Sequence, residues 1–423
     1  MRFLHETLDN GLEVVAEVDD AALSTSVGFF VQTGARDEAA AIAGTSHFLE
    51  HMVFKGTTDL SGDEINRRFD WMGAGANAFT SEEDTVYYAA VLPSRQQEAT
   101  DLLARMMRPA LRGEDFDTEK LVILEEIRMY DDQPPFGADD RCRAAFFAGH
   151  PLANSVLGSV ASIEALPVEA MRDYHRRRYA PGNIVLAATG AVDFSLLVES
   201  ARRLCGDWQP MQLPDRVVPS ATVGPSRPTV EQLIRPAAAL EYAVRMTAGP
   251  DGADDARFAA KMLAIVLGDD SGSRLYWELV DPGTAEHASC HHHDFLDAGL
   301  FVTQLSCDAD DAGPLLERIH EMYRVAESGG ITRQEWERAR NKLSGRVVLA
   351  GERPRRRLFS LGMEWAHERT YRSVTDDLRI VESITLDQLH DVLARWPLDG
   401  PASTVLAGPG TAAASNLAGS ESD

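Results

Sequence analysis

Cysteine is scarce in this chain, and its scarcity excludes two kinds of site. The 423 residues include only four cysteines, Cys142, Cys205, Cys290 and Cys307. No two of them have the close spacing of a zinc-thiolate motif, and their scatter does not suggest a disulfide framework. We therefore expect reduced and mostly buried thiols.

Positively charged residues are also few relative to negatively charged ones. Lysine and arginine number 41 against 66 aspartates and glutamates, which gives a formal net charge of -25. A surface this acidic repels nucleic-acid phosphates and anionic lipid head groups at long range. We expect no nucleic-acid ligand and no membrane partner.

Long apolar runs are absent. No stretch approaches the roughly eighteen uninterrupted apolar residues that a membrane-spanning helix requires. The first residues, Met1 to Glu6, lead directly into a strand-like pattern without the apolar core of a signal peptide. The expectation is a cytoplasmic protein.

The length and the proline distribution predict two domains. A chain of this size exceeds one ordinary core, and five prolines fall between Gly206 and Pro228 with little periodic patterning, which is typical of an extended connector. We expect an N-terminal domain over residues 1–209, a linker over 210–228 and a C-terminal domain over 229–409. The Ala, Ser and Gly-rich residues 410–423 are expected to be disordered.

The two halves share an order of sequence signals, which indicates an internal repeat. Each half ends with a Ser-Ile pair, a helix, a proline and a β-rich strand. These are Ser162-Ile163, a helix through Tyr179, Pro181 and residues 184–190 in the first half, and Ser383-Ile384, a helix through Trp396, Pro397 and residues 404–408 in the second. With the hairpin signal Asn10-Gly11 near the start, the pattern predicts an α+β fold of two homologous domains. Each is expected to be a mostly antiparallel β-sheet with helices packed on it.

A helix that starts near Thr45 carries the residues with the clearest chemistry. His47 and His51 are four residues apart, so their imidazoles project from one helix face and could share a metal ion. Glu50 lies on the adjoining edge, where its carboxylate could reach a water on zinc without binding the ion. A polar helix face is the alternative interpretation.

Two histidines leave a catalytic zinc site one protein ligand short. The segment Glu119 to Met129 predicts a helix with one buried side, and Glu119 and Glu126 lie two turns apart on nearly the same face. By geometry either glutamate could be the ligand, and the other would orient a histidine.

The motif His47-Phe48-Leu49-Glu50-His51, with Phe54-Lys55-Gly56-Thr57 and the Glu119 to Glu126 segment, resembles the pitrilysin family of zinc peptidases. This family includes insulin-degrading enzymes and mitochondrial processing peptidases. The resemblance implies one zinc ion per chain held by His47, His51 and Glu126, with Glu50 as general base and Glu119 as a supporting carboxylate. The choice of Glu126 over Glu125 rests on the resemblance.

The resemblance also implies a substrate-binding edge strand at Asn77, Ala78, Phe79 and Thr80. Such a strand would pair with the backbone of an extended peptide, which explains how varied peptides are accepted. The implied function is a zinc-dependent endopeptidase that acts on unfolded peptides through a metal-activated water.

The second half departs from the family pattern at two positions. Family members place an arginine and a tyrosine just after a segment resembling Ser273 to Leu279, where this chain has Val280 and His287. We therefore expect a homodimer, or a heterodimer with a related subunit that supplies the missing pair. A non-catalytic or partner-dependent peptide-binding subunit is the alternative function.

Two further motifs receive structural interpretations. His291, His292 and His293 would alternate between the faces of a strand and lack a convincing further ligand. The basic run Arg353 to Arg357 is expected to lead into a helix, with carboxylates paired to its arginines.

Overall fold

The computed structural model describes residues 1–132, 136–213, 216 and 224–410. Within the predicted linker, residues 214, 215 and 217–223 lie outside these ranges, as do all but the first residue of the predicted tail.

Eleven strands and fourteen α-helices occur in the described residues. The strands are β1 Arg2–Thr7, β2 Glu13–Val18, β3 Thr25–Val31, β4 Gly75–Thr80, β5 Thr85–Val91, β6 Ile184–Gly190, β7 Thr229–Ile234, β8 Glu241–Gly249, β9 His287–Asp294, β10 Gly299–Cys307 and β11 Ala402–Gly408. The helices are α1 Thr45–Val53, α2 Gly62–Met72, α3 Gln96–Met106, α4 Gly113–Asp132, α5 Phe136–Phe146, α6 Val160–Ala165, α7 Val168–Arg178, α8 Phe194–Cys205, α9 Ala256–Gly268, α10 Ala312–Val325, α11 Arg333–Gly351, α12 Pro354–Glu368, α13 Val374–Ser383 and α14 Leu386–Arg395.

The first sheet has the strand order β1-β2-β6-β3-β5-β4. Only β2 and β6 run parallel; every other neighbouring pair is antiparallel. The turn predicted at Asn10-Gly11 joins β1 to β2, and Gly11 adopts a φ of 89°, which the missing Cβ permits.

The second sheet repeats this arrangement, with the order β7-β11-β8-β10-β9. Its single parallel pair is β7 and β11, which correspond to β2 and β6 of the first sheet. The α+β class and the repeat of a mostly antiparallel sheet with helices are confirmed. In each sheet the strand from the end of its half lies between two others, β6 between β2 and β3 and β11 between β7 and β8.

Each sheet is covered by helices on both faces. In the first sheet every residue of β3 and β6 is buried, and Leu358 and Leu361 of α12 pack on one face against Phe30. In the second sheet, Cys142 and Phe146 of α5 form the equivalent cover. Strands buried on both faces require two such layers.

The chain accordingly forms two compact units, each built from three segments. One comprises residues 1–127, 154–217 and 348–374, and the other comprises 128–153, 218–347 and 375–423. These units differ from the contiguous domains expected from the proline-rich connector, because α5 and α12 each cover the sheet of the opposite half of the sequence. The boundary at residues 210–228 stays a prediction.

Candidate metal centre

The start of α1 is fixed by the carboxyl group of a glutamate in the preceding loop. Glu38 is buried and accepts backbone hydrogen bonds from Gly44, at 2.6 Å, and from Ser46. These N–H groups belong to the first turn of a helix, which has no internal partners for them. Gly44 has a φ of 88°, and a Cβ there would lie 2.5 Å from the carbonyl oxygen of Leu157. The loop therefore sets where the helix begins.

The apolar side of α1 aligns it with α4. Phe48 and Phe116 stack with ring centroids 4.6 Å apart and are both buried. Leu49, Met52 and Val53 also belong to the core of the first unit. With these side chains buried, His47 and His51 lie beside the glutamates of α4, and Glu50 lies beside Thr80 of β4.

His47, His51 and Glu126 converge. Their ligand atoms all lie within 4.8 Å of one another, and no other group of three or more such side chains is found in the described part of the chain. Oε1 of Glu126 is 3.9 Å from Nε2 of His47, and its Oε2 is 3.8 Å from Nε2 of His51. These separations are too long for direct hydrogen bonds and leave space for an ion among the three groups.

Glu119 lies behind His51. Its Oε1 accepts a hydrogen bond from Nδ1 of His51 at 2.8 Å, and its Oε2 is 2.5 Å from the ammonium of Lys55. A proton held on Nδ1 leaves Nε2 as the lone-pair nitrogen that faces Glu126. Hydrogen bonding from His51, together with Lys55, lowers the pKa of Glu119 and keeps it ionised.

The two histidines have opposite electrostatic environments. Burial, and secondarily the charge of His51, lowers the pKa of His47 to about 3. Burial also disfavours the charged form of His51, but its hydrogen bond to Glu119 and the nearby carboxylates outweigh burial and raise its pKa. His47 is therefore neutral at physiological pH and could bind a metal through a ring nitrogen. Burial raises the pKa of Glu126, and Glu119 adds to that effect.

Glu50 is half-buried beside the trio. Burial raises its pKa, while the hydroxyl of Thr80 donates to its Oε2 at 2.6 Å and partly opposes the rise. A carboxylate with a raised pKa is a stronger proton acceptor near neutral pH. The geometry can therefore support proton transfer next to a metal.

Strand β4 forms one edge of the first sheet and pairs only with β5 among the described strands. It carries the predicted residues Asn77, Ala78, Phe79 and Thr80, of which Asn77 is exposed and the other three half-buried. Ala78 packs against the core cluster that contains α1, whereas Phe79 packs against the cluster that contains α12. The free edge of β4 thus passes directly beside Glu50.

Geometry separates the two glutamates that the sequence left as alternative ligands. Glu126 faces both imidazoles, Glu119 bonds the far nitrogen of one, and Glu125 is exposed. The roles of these residues as ligands and base stay predictions. Sequence reasoning did not anticipate Glu38, whose partners are six and eight residues away, or the bond from Thr80 to Glu50, which joins residues 30 positions apart. Of these residues, only Lys55 could have been found from local sequence, because it lies four residues after His51.

The departures in the second half lie near one another in sequence but in different environments. Val280 is half-buried against the core of the second unit, at the end of a short π-helical turn. His287 is exposed at the start of β9, where its Nε2 is 3.1 Å from the hydroxyl of Ser289. Neither side chain reproduces the arginine or tyrosine of the family pattern.

The other sequence motifs have structural roles. On β9, His292 is buried while His291 and His293 are exposed, as alternation predicts. Arg357 at the start of α12 is buried and forms two hydrogen bonds of 2.8 Å with Glu17.

All four cysteines are free and buried. Among the described residues, no helix combines the length and apolar character needed to cross a membrane.

Sequence comparisons match both halves of the chain to one family. Residues 13–160 match the family described as insulinase, peptidase family M16, and residues 165–343 match the peptidase M16 inactive domain. An uncharacterized zinc protease of Mycobacterium tuberculosis is 32% identical over 95% of this chain and 92% of its own length. A Bacillus subtilis uncharacterized zinc protease is 28% identical over 92% of this chain and 91% of its own length. A probable mitochondrial-processing peptidase subunit beta of Arabidopsis thaliana is 34% identical over 47% of this chain and 38% of its own length.

Solved structures share the fold. A protease from Helicobacter pylori superposes with a TM-score of 0.90 at 21% identity, covering 96% of this chain and 99% of that one. A peptidase M16 inactive domain from Pseudomonas fluorescens superposes with a TM-score of 0.86 at 17% identity, covering 97% and 99%. These structures share the fold, and the sequence matches over most of the chain show that it belongs to the insulinase family of peptidases, M16.

Proposed function

We propose that this protein is a zinc-dependent endopeptidase that hydrolyses peptide bonds in unfolded peptides. The observation that carries the proposal is the convergence of His47, His51 and Glu126 on one point, with Glu50 beside them. The M16 relatives named as zinc proteases support the same reaction class.

The side chains fit zinc. Two imidazole nitrogens and one carboxylate are a common donor set of catalytic zinc sites, which keep a further position open. Nε2 of both histidines faces Glu126, and Nδ1 of His47 is buried without a hydrogen-bond partner among the described residues. Nδ1 of His51 is held by Glu119. When bound, zinc would lower the pKa of a water molecule and polarise the scissile carbonyl.

Glu50 would move the proton. Its Oε2 is occupied by the hydroxyl of Thr80, so Oε1 is the oxygen that accepts a proton from the attacking water. The same atom would then deliver that proton to the nitrogen of the leaving amine. Burial raises the pKa of Glu50 and thereby strengthens it as a base.

The edge strand β4 would hold the substrate. An extended peptide can add to a free sheet edge through backbone hydrogen bonds, which requires it to be unfolded. Residues Asn77 to Thr80 would supply those bonds, and Thr80 would bring the peptide backbone close to Glu50.

Zinc content and cleavage measured on three variants test this proposal. The wild-type chain should contain one zinc ion and cleave an unstructured peptide. Glu50→Gln should retain the zinc and lose at least about a hundredfold in kcat, because it lacks a proton acceptor. Glu126→Gln should lose zinc and activity together, whereas the exposed Glu125→Gln on the same helix should lose neither. Full activity of Glu50→Gln would refute the mechanism.

The alternative function is a non-catalytic or partner-dependent subunit that binds peptides. It is motivated by Val280 and His287, which replace the arginine and tyrosine of the family pattern. We further propose that the chain forms a homodimer, or a heterodimer with a related subunit that supplies the missing pair. A purified chain that cleaves peptides at ordinary rates without a partner would remove the support for the heterodimer.

The free cysteines fit a reducing compartment, and we propose the cytoplasm.

A further inference from the structure

One cavity in the first unit lies apart from the candidate metal centre. Its volume is about 570 Å³, within the range of small-ligand sites. Its walls come from the end of α3, from α7 and from the residues after α8. They include Ala104, Arg105, Arg108, His175, Tyr179 and Trp208, and none of the residues proposed to hold or assist zinc.

Arg108 is the unusual feature of this cavity. Its guanidinium carbon lies 3.6 Å from the centroid of the buried Trp208 ring, and its Nη1 donates to the carbonyl of Met107 at 2.7 Å. An arginine carries five N–H donors, and no carboxylate among the described residues lies within ion-pair distance of it. Burial lowers the pKa of Arg108 to about 10, so it remains charged at neutral pH. A cation held in this way lacks the partner that partly buried charges normally have.

The neighbouring basic side chains are either paired with a carboxylate or neutral. Arg105 pairs with Asp59 at 2.8 Å, and Arg176 pairs with Asp173 on α7. Burial, together with the charge of Arg108, lowers the pKa of His175 to about 4, so the imidazole is neutral. Among the described side chains of this cavity, Arg108 is thus the cation without a carboxylate at ion-pair distance, and the charge of Asp207 acts on it from further away.

Apolar surface surrounds that charge. Leu204, Trp208 and Met211 line the cavity, and Met211 is 40% exposed. A ligand that met only the guanidinium would leave this surface in contact with water. An apolar ligand group placed against this surface would be stabilised by the burial of apolar area.

We propose that this cavity binds an organic monocarboxylate with an apolar body. The carboxylate pairs with Arg108, since planar carboxylates match the guanidinium fork. The apolar body contacts Leu204, Trp208 and Met211. The ligand is singly charged because Asp59 and Asp207 also line the cavity and repel a dianion more strongly. The site is independent of the proposed peptidase activity.

Calorimetric titration of the full chain tests the proposal with defined probes. Octanoate represents a lipid-derived carboxylate and N-acetylphenylalanine represents a peptide carboxyl terminus. We expect saturable one-to-one binding of at least one of them, accompanied by a change in tryptophan fluorescence, and the tighter probe identifies the source. N-acetylphenylalanine amide, which lacks the charge, and inorganic phosphate should bind at least about tenfold more weakly.

Variants locate the site. Arg108→Met should weaken carboxylate binding at least about tenfold, whereas Arg176→Met, which removes a paired arginine from the same cavity, should leave it within about twofold. If Arg108→Met does not fold, Met211→Asp places a negative charge in the apolar wall without altering the stack on Trp208, and it should weaken binding similarly. The proposal is overturned if neither carboxylate binds, if the amide or phosphate binds equally well, or if binding is undiminished in folded Arg108→Met or Met211→Asp.

Discussion

The hydroxyl of Thr80 donates a 2.6 Å hydrogen bond to Oε2 of Glu50 and so joins the free edge strand β4 to the proposed catalytic base. The bond leaves one carboxylate oxygen of Glu50 available and limits rotation of the side chain. A peptide that paired with β4 would therefore lie beside a base that is already oriented.

Replacing Thr80 by valine tests this relationship. A hydrogen bond to a charged group is worth about 1.5 kcal/mol or more, so Thr80→Val should reduce kcat at least about tenfold. Zinc content should not change, because Thr80 does not contact the proposed ligands. Thr80→Ser keeps the hydroxyl and should retain most of the activity. Equal losses in both variants would show that the methyl group, not the hydrogen bond, is important.

Glu119 should affect zinc affinity without being a ligand. Glu119→Gln removes the negative charge that stabilises His51 with its proton on Nδ1. Loss of such a supporting group typically costs about 10- to 100-fold in metal affinity. Competition with a zinc-chelating dye would measure the change. Glu114→Gln, at an exposed position in the first turn of α4, is the control and should bind zinc as the wild type does.

Glu38 should make stability depend on pH. Burial raises its pKa from 4.5 to about 8 despite the hydrogen bonds from Ser46 and Gly44 that oppose the rise. The folded state therefore holds a proton that the unfolded state has released, and stability falls as the pH rises from about 4.5 to about 8. Each pH unit in that window is worth up to about 1.4 kcal/mol.

Glu38→Gln cannot titrate and should flatten this dependence. Urea unfolding of the wild type and the variant at several pH values between these limits would measure the difference. If the two proteins lose stability in parallel as the pH rises, Glu38 is not the titrating group.

The buried pair of Arg357 and Glu17 should matter for stability. Arg357→Met leaves Glu17 as a buried charge whose remaining partner is the hydroxyl of Tyr371, at 2.6 Å. Removing one member of a buried pair costs about 3–5 kcal/mol, and chemical denaturation would measure it. Arg355→Met, at an exposed position on the same helix, should change the free energy of unfolding by less than about 0.5 kcal/mol.

The sequence determined the local elements of the candidate site. Helical spacing placed His47 and His51 on one face, and α1 begins at Thr45, where the helix was expected. The Asn10-Gly11 signal predicted the first hairpin, and the shared order of elements predicted two similar sheets. Periodicity and turn chemistry depend on neighbouring residues, so they can be read without tertiary information.

Tertiary structure alone decided which distant groups meet. Helical spacing left Glu119 and Glu126 open as ligands, and the resemblance favoured Glu126; the structure brings Glu126 to both imidazoles and Glu119 to the far nitrogen of His51. The covering of each sheet by α5 or α12 from the opposite half follows from burying both sheet faces, a requirement that no local pattern expresses. The same holds for Arg108, because an arginine in a helix end shows no sign in sequence that its charge lacks a partner.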